Sequence, residues 1–191
     1  MSKGSGSTVN IYQKTIIALC ASTAAILVAS SAPAKLERGS GTAKFSATGP
    51  GGLRIEGTGE GVVVDDRGDE IVIVVPINAM STGISLRDKH MKEKYLETGK
   101  FPNAELHVKR ESIQALAGGA NSGTVNGTLR LHGKERAVTP SYSATKSGDG
   151  FFVNGKMDID MREFGIEVPS YLGMTVKPNV GISVAFKTSG N

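Results

Sequence analysis

Thr124-Val125-Asn126-Gly127-Thr128-Leu129-Arg130-Leu131-His132-Gly133 decides the fold class. Val125, Gly127, Leu129 and Leu131 fall on one parity; Thr124, Asn126, Thr128, Arg130 and His132 fall on the other. Side chains of a strand alternate between its faces, so this is a strand with one apolar and one polar face. The same period governs Phe151 to Met161, where Phe151, Val153, Gly155, Met157, Ile159 and Met161 oppose Phe152, Asn154, Lys156, Asp158 and Asp160. It also governs Val180 to Phe186, with Val180, Ile182, Val184 and Phe186 together. Upstream, Phe45 and Ala47 share a face within Ala43–Thr48, and Leu106 and Val108 share one within Ala104–Arg110. Val138–Thr145 adds a strand carrying Tyr142. From Leu53 to Asp65 the parity puts Leu53, Ile55, Gly57, Gly59, Gly61 and Val63 on one face. Glycine persists inside a strand where the sheet bends or another group approaches closely. Glu70–Asn78 is apolar on both faces, which predicts a strand covered on its outer side as well; Pro76 near its end marks a rim or bulge.

Turn signals separate these runs at Gly49–Gly52, Asp65–Asp69, Gly118–Gly123 and Ser147–Gly150. About eight half-apolar strands joined by short turns predict an antiparallel sandwich or barrel. One stretch breaks the period. In Ile84–Pro102, Met91 and Tyr95 lie four apart, Leu96 extends their face, and Lys89, Lys92, Glu93, Lys94 and Glu97 point elsewhere. One or two helical turns are expected near 84–98, capped by Ser85 and closed by Gly99 and Pro102.

The first 34 residues have the layout of a secretory signal. Lys3 and Lys14 precede an uncharged apolar run, Thr15–Ser30, which ends in Ala32-Pro33-Ala34. The run is shorter than the roughly 20 residues that span a bilayer, so cleavage after Ala34 is expected, with an uncleaved anchor as the alternative. Residues 35–191 then form one domain in the periplasm or outside the cell. That domain has no cysteine, since Cys20 is the only one, and must be held by its core and ladder bonds alone. Loss of Lys3 and Lys14 lowers the net charge from +4 to +2. Basic and acidic residues are interleaved and aromatics make up 5% of the chain, a distribution that does not suit a nucleic-acid binder.

Catalytic and metal signatures are not found. His90, His107 and His132 are scattered, without thiols, and are expected on solvated faces; no metal or cofactor is expected. Asp158 and Asp160 share a strand face but have no accompanying nucleophile or base. No Gly-x-Ser-x-Gly lies between strand and helix, and no glycine run precedes a Lys-Ser/Thr helix. The chain is read as a non-enzyme. An eight-stranded barrel either fills with side chains or holds one small ligand. With no tryptophan and with inward faces rich in Gly, Val, Ile, Ala and Met, the wall need not fill its own lumen. Methionines 80, 91, 157, 161 and 174 would suit a pliable hydrocarbon, but methionine at strand parity is more often plain core, and the residues alone favour core.

Three stretches in order carry a resemblance. The first is Met80-Ser81-Thr82-Gly83 with Leu86-Arg87-Asp88-Lys89-His90-Met91, Tyr95-Leu96 and Lys100-Phe101-Pro102. The second is Val125 to Lys134. The third is Asp158-Ile159-Asp160-Met161-Arg162-Glu163-Phe164-Gly165-Ile166. Together they resemble the YceI-like family of exported, lipocalin-like lipid-binding proteins, over roughly Phe45 to Lys187; Pro169–Pro178 carries no motif of the family. The resemblance implies an elongated eight-stranded antiparallel barrel around an apolar tunnel, holding a polyisoprenoid or other long-chain amphiphile without catalysis. The candidate ligand wall is then Phe45, Ile55, Ile73, Val75, Met80, Leu86, Met91, Tyr95, Leu129, Leu131, Phe151, Val153, Met157, Ile159, Met161, Phe164, Ile182 and Val184. Arg87 or Arg162 would meet the polar head, oriented by Asp88 or Asp160; structural ion pairs are the alternative for both. Membrane contact is expected only transiently or through an uncleaved leader, and a homodimer is compatible with the sequence. The alternative function is an interaction domain with a filled core.

Overall fold

The computed structural model describes residues 41–113, 121–171 and 173–188. The leader expected at 1–34, its cut after Ala34, and the first part of the 118–123 loop lie outside the described residues. Ten strands form one antiparallel sheet: β1 (Gly41–Thr48), β2 (Arg54–Asp66), β3 (Glu70–Pro76), β4 (Asn103–Lys109), β5 (Asn121–Thr124), β6 (Gly127–Leu131), β7 (Lys134–Val138), β8 (Ser141–Ser147), β9 (Gly150–Asp160) and, last in the chain, Asn179–Thr188. A two-stranded hairpin, β10 (Ser170–Tyr171) with β11 (Met174–Thr175), precedes that last strand, β12. The order across the sheet is β5-β8-β9-β12-β1-β2-β3-β4-β6-β7.

Two of these breaks are bends within single strands. β5 runs on into β6 and β7 into β8, and the ladder crosses the bend through the Val125 N–H, which donates to the Pro140 carbonyl at 3.0 Å. The bent ribbon therefore pairs with β4 through β6 and with β9 through β8. Counted as continuous strands, the sheet has the expected eight, strongly curled around a central space. β7 is a strand the sequence reading did not include. Lys134-Glu135-Arg136-Ala137 has no apolar alternation, and its place is set by pairing with β6 across a two-residue turn. Both turn residues, His132 (φ 51°) and Gly133 (φ 72°), adopt the left-handed backbone that tight hairpins require.

The face of β2 changes at Gly61. Its φ of 85° and the register shift opposite Gly41/Thr42 mark a bulge, which inserts one residue and resets the parity. Gly57 and Gly59 face inward as expected, but beyond the bulge Val62 and Val64 are buried in place of Val63. Leu53, assigned to the inward face, lies before the strand and is exposed. β3 is covered on both sides: Ile71, Ile73 and Val75 point inward, while Val72, on the outer face beside its register partner His107, is 0% exposed.

The insert between β3 and β4 is longer than expected. A 3-10 turn (Ile77–Ala79) leads to helix α1 (Ser85–His90), which continues as a π-helical turn through Met91–Tyr95. Ile84, not Ser85, is the capping position, and it supplies no side-chain bond. The helix ends at Glu97, whose φ is 44°, two residues before Gly99. Entry and exit are tied together by the Ile77 N–H donating to the Pro102 carbonyl at 2.8 Å and by the pair Pro76–Asn103. Thr58 of β2 and Ser81 exchange two backbone bonds of 2.9 and 2.8 Å, which fix the start of the insert to the sheet. Among the described residues no helix is long and apolar enough to cross a membrane.

Candidate functional site

The inward faces do not fill the space they enclose. A cavity of about 1080 Å³ runs through the sheet's interior, lined mainly by aliphatic side chains. Its wall comes from alternate positions of each strand: Phe45 of β1, Ile55 of β2, Ile73 and Val75 of β3, Leu106 and Val108 of β4, Leu129 and Leu131 of β6, Val153, Met157 and Ile159 of β9, Ile182 and Val184 of β12. Ile73 lies at the middle, packed against all three buried clusters of the core. Two glycines let large side chains lie flat on the wall. A Cβ on Gly57 would sit 2.2 Å from Cε1 of Phe45, and one on Gly59 would sit 2.6 Å from the Met80 sulfur.

One end of the cavity is formed by the insert and by the segment between β9 and β12. The insert contributes Met80, Leu86, Arg87, Met91, Tyr95 and Leu96, together with Ile84, His90 and Lys94. The other lip contributes Met161, Ile166, Pro169, Met174 and Val176, and the β1–β2 turn adds Pro50. Ile84, Leu86 and Met174 line the cavity and are also exposed, so it meets solvent here. Lys94 and Glu167 approach to 3.5 Å across the two lips.

Five expected wall or head-group residues stand elsewhere. Phe164 is 1% exposed, but its ring is locked in the core beneath the 3-10 turn Met161–Phe164 and does not line the cavity. Phe151 packs at the rim of a second cluster, beside Val153 and Phe186. Arg162 is two-thirds exposed and grips Asp160 (Nε–Oδ1 3.0 Å, Nε–Oδ2 3.1 Å, Nη2–Oδ2 2.5 Å). Asp160 also accepts the Arg162 N–H at 2.9 Å as the cap of that turn. This pair fastens a turn on the outside of the wall, because the chain turns away after Asp160 and carries Arg162 outward. Asp88 does not orient Arg87. Its carboxylate accepts the Ser81 hydroxyl at 2.6 Å, the Thr82 N–H at 2.8 Å and the Thr82 hydroxyl. These bonds, Ser81's first, hold its pKa down from 3.8 to about 2. Arg87 lines the cavity and, among the described residues, is held by Thr82, with Nε donating to the hydroxyl at 2.8 Å and Nη2 to the carbonyl at 2.9 Å.

His132 is not on a solvated face. Its Nδ1 lies 3.2 Å from the Phe164 carbonyl and its Nε2 3.1 Å from Glu97, with the Phe101 ring edge-on at 4.8 Å. It ties the β6–β7 turn, the insert and the Met161–Phe164 turn together at the cavity's end. Lining residues that sequence reasoning did not assign to the wall include Ile84, His90, Lys94 and Leu96 on the insert, Leu106 and Val108 of β4, and Ile166, Pro169, Met174 and Val176 on the opposite lip. Helical spacing from Met91 and Tyr95 reaches Ile84 and Lys94, and the strand period reaches Leu106 and Val108; the opposite lip has no period to detect.

A family model for the YceI-like domain matches residues 30–188. The chain belongs to the YceI-like family. No curated protein matches it in sequence. The YceI-like chain is similar in structure to a polyisoprenoid binding domain from Saccharophagus degradans implicated in plant cell wall breakdown, at 17% identity over 82% of this chain and 100% of that one, with a TM-score of 0.69. It is similar to Burkholderia cenocepacia BcnA at 18% identity over 76% and 95%, TM-score 0.60. A Campylobacter jejuni YceI protein matches at 13% identity over 72% and 86%, TM-score 0.53. At these identities the likeness establishes the shared curled-sheet fold.

Proposed function

We propose that this YceI-like protein binds a long-chain apolar molecule, a polyisoprenoid or similar amphiphile, in its central cavity, and stores or carries it through the periplasm without catalysing a reaction on it. The observation that carries this reading is the unfilled apolar lumen. Ligand sites generally occupy about 300–1000 Å³, and this one is 1080 Å³. An aliphatic wall that leaves such a space unfilled forgoes packing contacts, which an apolar occupant would restore.

The family membership supports the same class, and so does a solved neighbour described as a polyisoprenoid binding domain. Arg87 supports an amphiphile over a pure hydrocarbon, since it brings a guanidinium to a mainly aliphatic wall. The leader-like first 34 residues support an exported carrier. Organic extraction of the purified protein followed by mass spectrometry tests the reading. A long-chain lipid near one per protein is expected. A protein that yields no lipid and takes up no hydrophobic dye would be the filled-core interaction domain instead.

A further inference from the structure

Among the described residues, four of the five exposed large apolar side chains are gathered at one place. Leu53, Ile84, Leu86 and Met174 are each more than half exposed. They come from three separate elements, the β1–β2 turn, the insert and the β10–β11 hairpin, and topology brings all three to the same end of the sheet, around the cavity's opening. The remaining large exposed hydrophobic among the described residues, Phe152, sits apart on the outer face of β9. Exposed apolar groups in a cluster mark an interaction surface, whereas scattered ones do not.

The insert is net positive. Arg87, Lys89, Lys92, Lys94 and Lys100 stand against Asp88, Glu93 and Glu97. Asp88 is occupied by Ser81 and Thr82, Glu97 by Lys100 and His132, and Lys94 shares Glu167 of the facing lip. The opposite end of the sheet carries the acidic turn Asp65-Asp66-Arg67-Gly68-Asp69-Glu70. An apolar rim set among lysines is the chemistry of a surface that rests in the interface of an anionic bilayer.

We propose that the cavity's open end is a docking surface for an anionic lipid bilayer. Leu86, Ile84 and Met174 enter the head-group boundary, and the insert's lysines meet the lipid charge. An apolar ligand then passes between bilayer and cavity without crossing water. The inference deepens the carrier reading and rests on it for its purpose, but its test stands apart.

The chain contains no tryptophan, so a single introduced tryptophan reports on its own position. Leu86→Trp and Met174→Trp full-length proteins are mixed with vesicles of phosphatidylcholine alone or with added phosphatidylglycerol, and Phe152→Trp serves as the distant control. The expected result is a blue shift at 86 and 174 with the anionic vesicles, weakened by high salt, and none at 152. Lys89→Gln with Lys92→Gln in the Leu86→Trp protein should weaken vesicle affinity at least tenfold. An equal shift at 152, equal binding to neutral vesicles, or a shift that tracks protein concentration without vesicles would overturn the proposal; the last would mean self-association. Lipid extraction from the same preparations separates the two readings. Bound lipid without vesicle docking defeats the docking alone, and docking without extractable lipid defeats the carrier reading alone.

Discussion

The ring of Phe45 lies against Gly57 so closely that no side chain fits between them: a Cβ on Gly57 would fall 2.2 Å from Cε1 and 2.6 Å from Cζ. Both residues belong to the paired strands β1 and β2, where they are register partners. The glycine gives Phe45 room to lie along the wall instead of standing across the lumen.

Gly57→Ala should therefore overpack the wall and destabilise the protein by about 1–3 kcal/mol, lowering the melting temperature by a few degrees. Adding Phe45→Ala should remove most of that penalty, because the two side chains compete for one space. Thermal unfolding of the two single variants and the double variant checks this; simple additivity would mean the strands adjust without the ring.

Filling the lumen should separate binding from stability. Ile73→Trp places a large ring at the point where all three buried clusters meet. Unfolding should remain cooperative, while the lipid recovered per protein falls by more than half. Unchanged lipid would place the occupant elsewhere.

Arg87 and Arg162 should part ways. Arg87 lines the cavity; Arg162 clasps Asp160 outside it. Arg87→Ala is expected to lower lipid occupancy severalfold with little change in stability, and Arg162→Ala to leave occupancy alone. If mass spectrometry shows the reverse, the polar end of the ligand does not lie at the insert.

The anchor of the insert should be acid-resistant. The folded pKa of Asp88 is about 2 against an ordinary 3.8, because Ser81, then Thr82, donate to the ionised form. A carboxylate with a depressed pKa contributes stability that is complete above the ordinary value and is lost as pH falls through the folded one. Hydrogen-exchange protection over residues 81–88 should thus persist at neutral pH and fade only between about pH 4 and about 2. Asp88→Ala should remove it at neutral pH, at a cost of about 1–2 kcal/mol. Glu97 is shifted in the same direction, by Lys100 first and His132 after it, so the second tie of the insert also loosens on acidification.

Much of the barrel was legible in the sequence because a half-buried strand must alternate. Val125 to Leu131, Val153 to Ile159 and Val180 to Phe186 read directly onto the cavity wall. The bulge at Gly61 was not legible, since one added residue leaves a glycine-rich run looking regular while exchanging Val63 for Val62 and Val64. β7 was invisible for the opposite reason: both its faces are polar, and only pairing with β6 makes it a strand. At the site, Met91 and Tyr95 announced the helical lip. Ile166 to Val176 did not announce the facing lip, because an irregular segment has no period. The pairing of Arg162 with Asp160, two residues away, is decided by the direction in which the turn leaves the strand.

β12 lies between β9 and β1, inside the sheet order, yet it follows every other described strand in the sequence. It supplies Val180, Ile182, Val184 and Phe186, and without it the two flanking strands have no partner on that side. A chain emerging residue by residue can form its early hairpins, but contacts so distant in sequence come slowly. Until Asn179–Thr188 arrives there is no chamber to load. Closure of the chamber is thereby tied to the arrival of Asn179–Thr188, and a polypeptide ended before it would offer hydrophobic strands but no room inside.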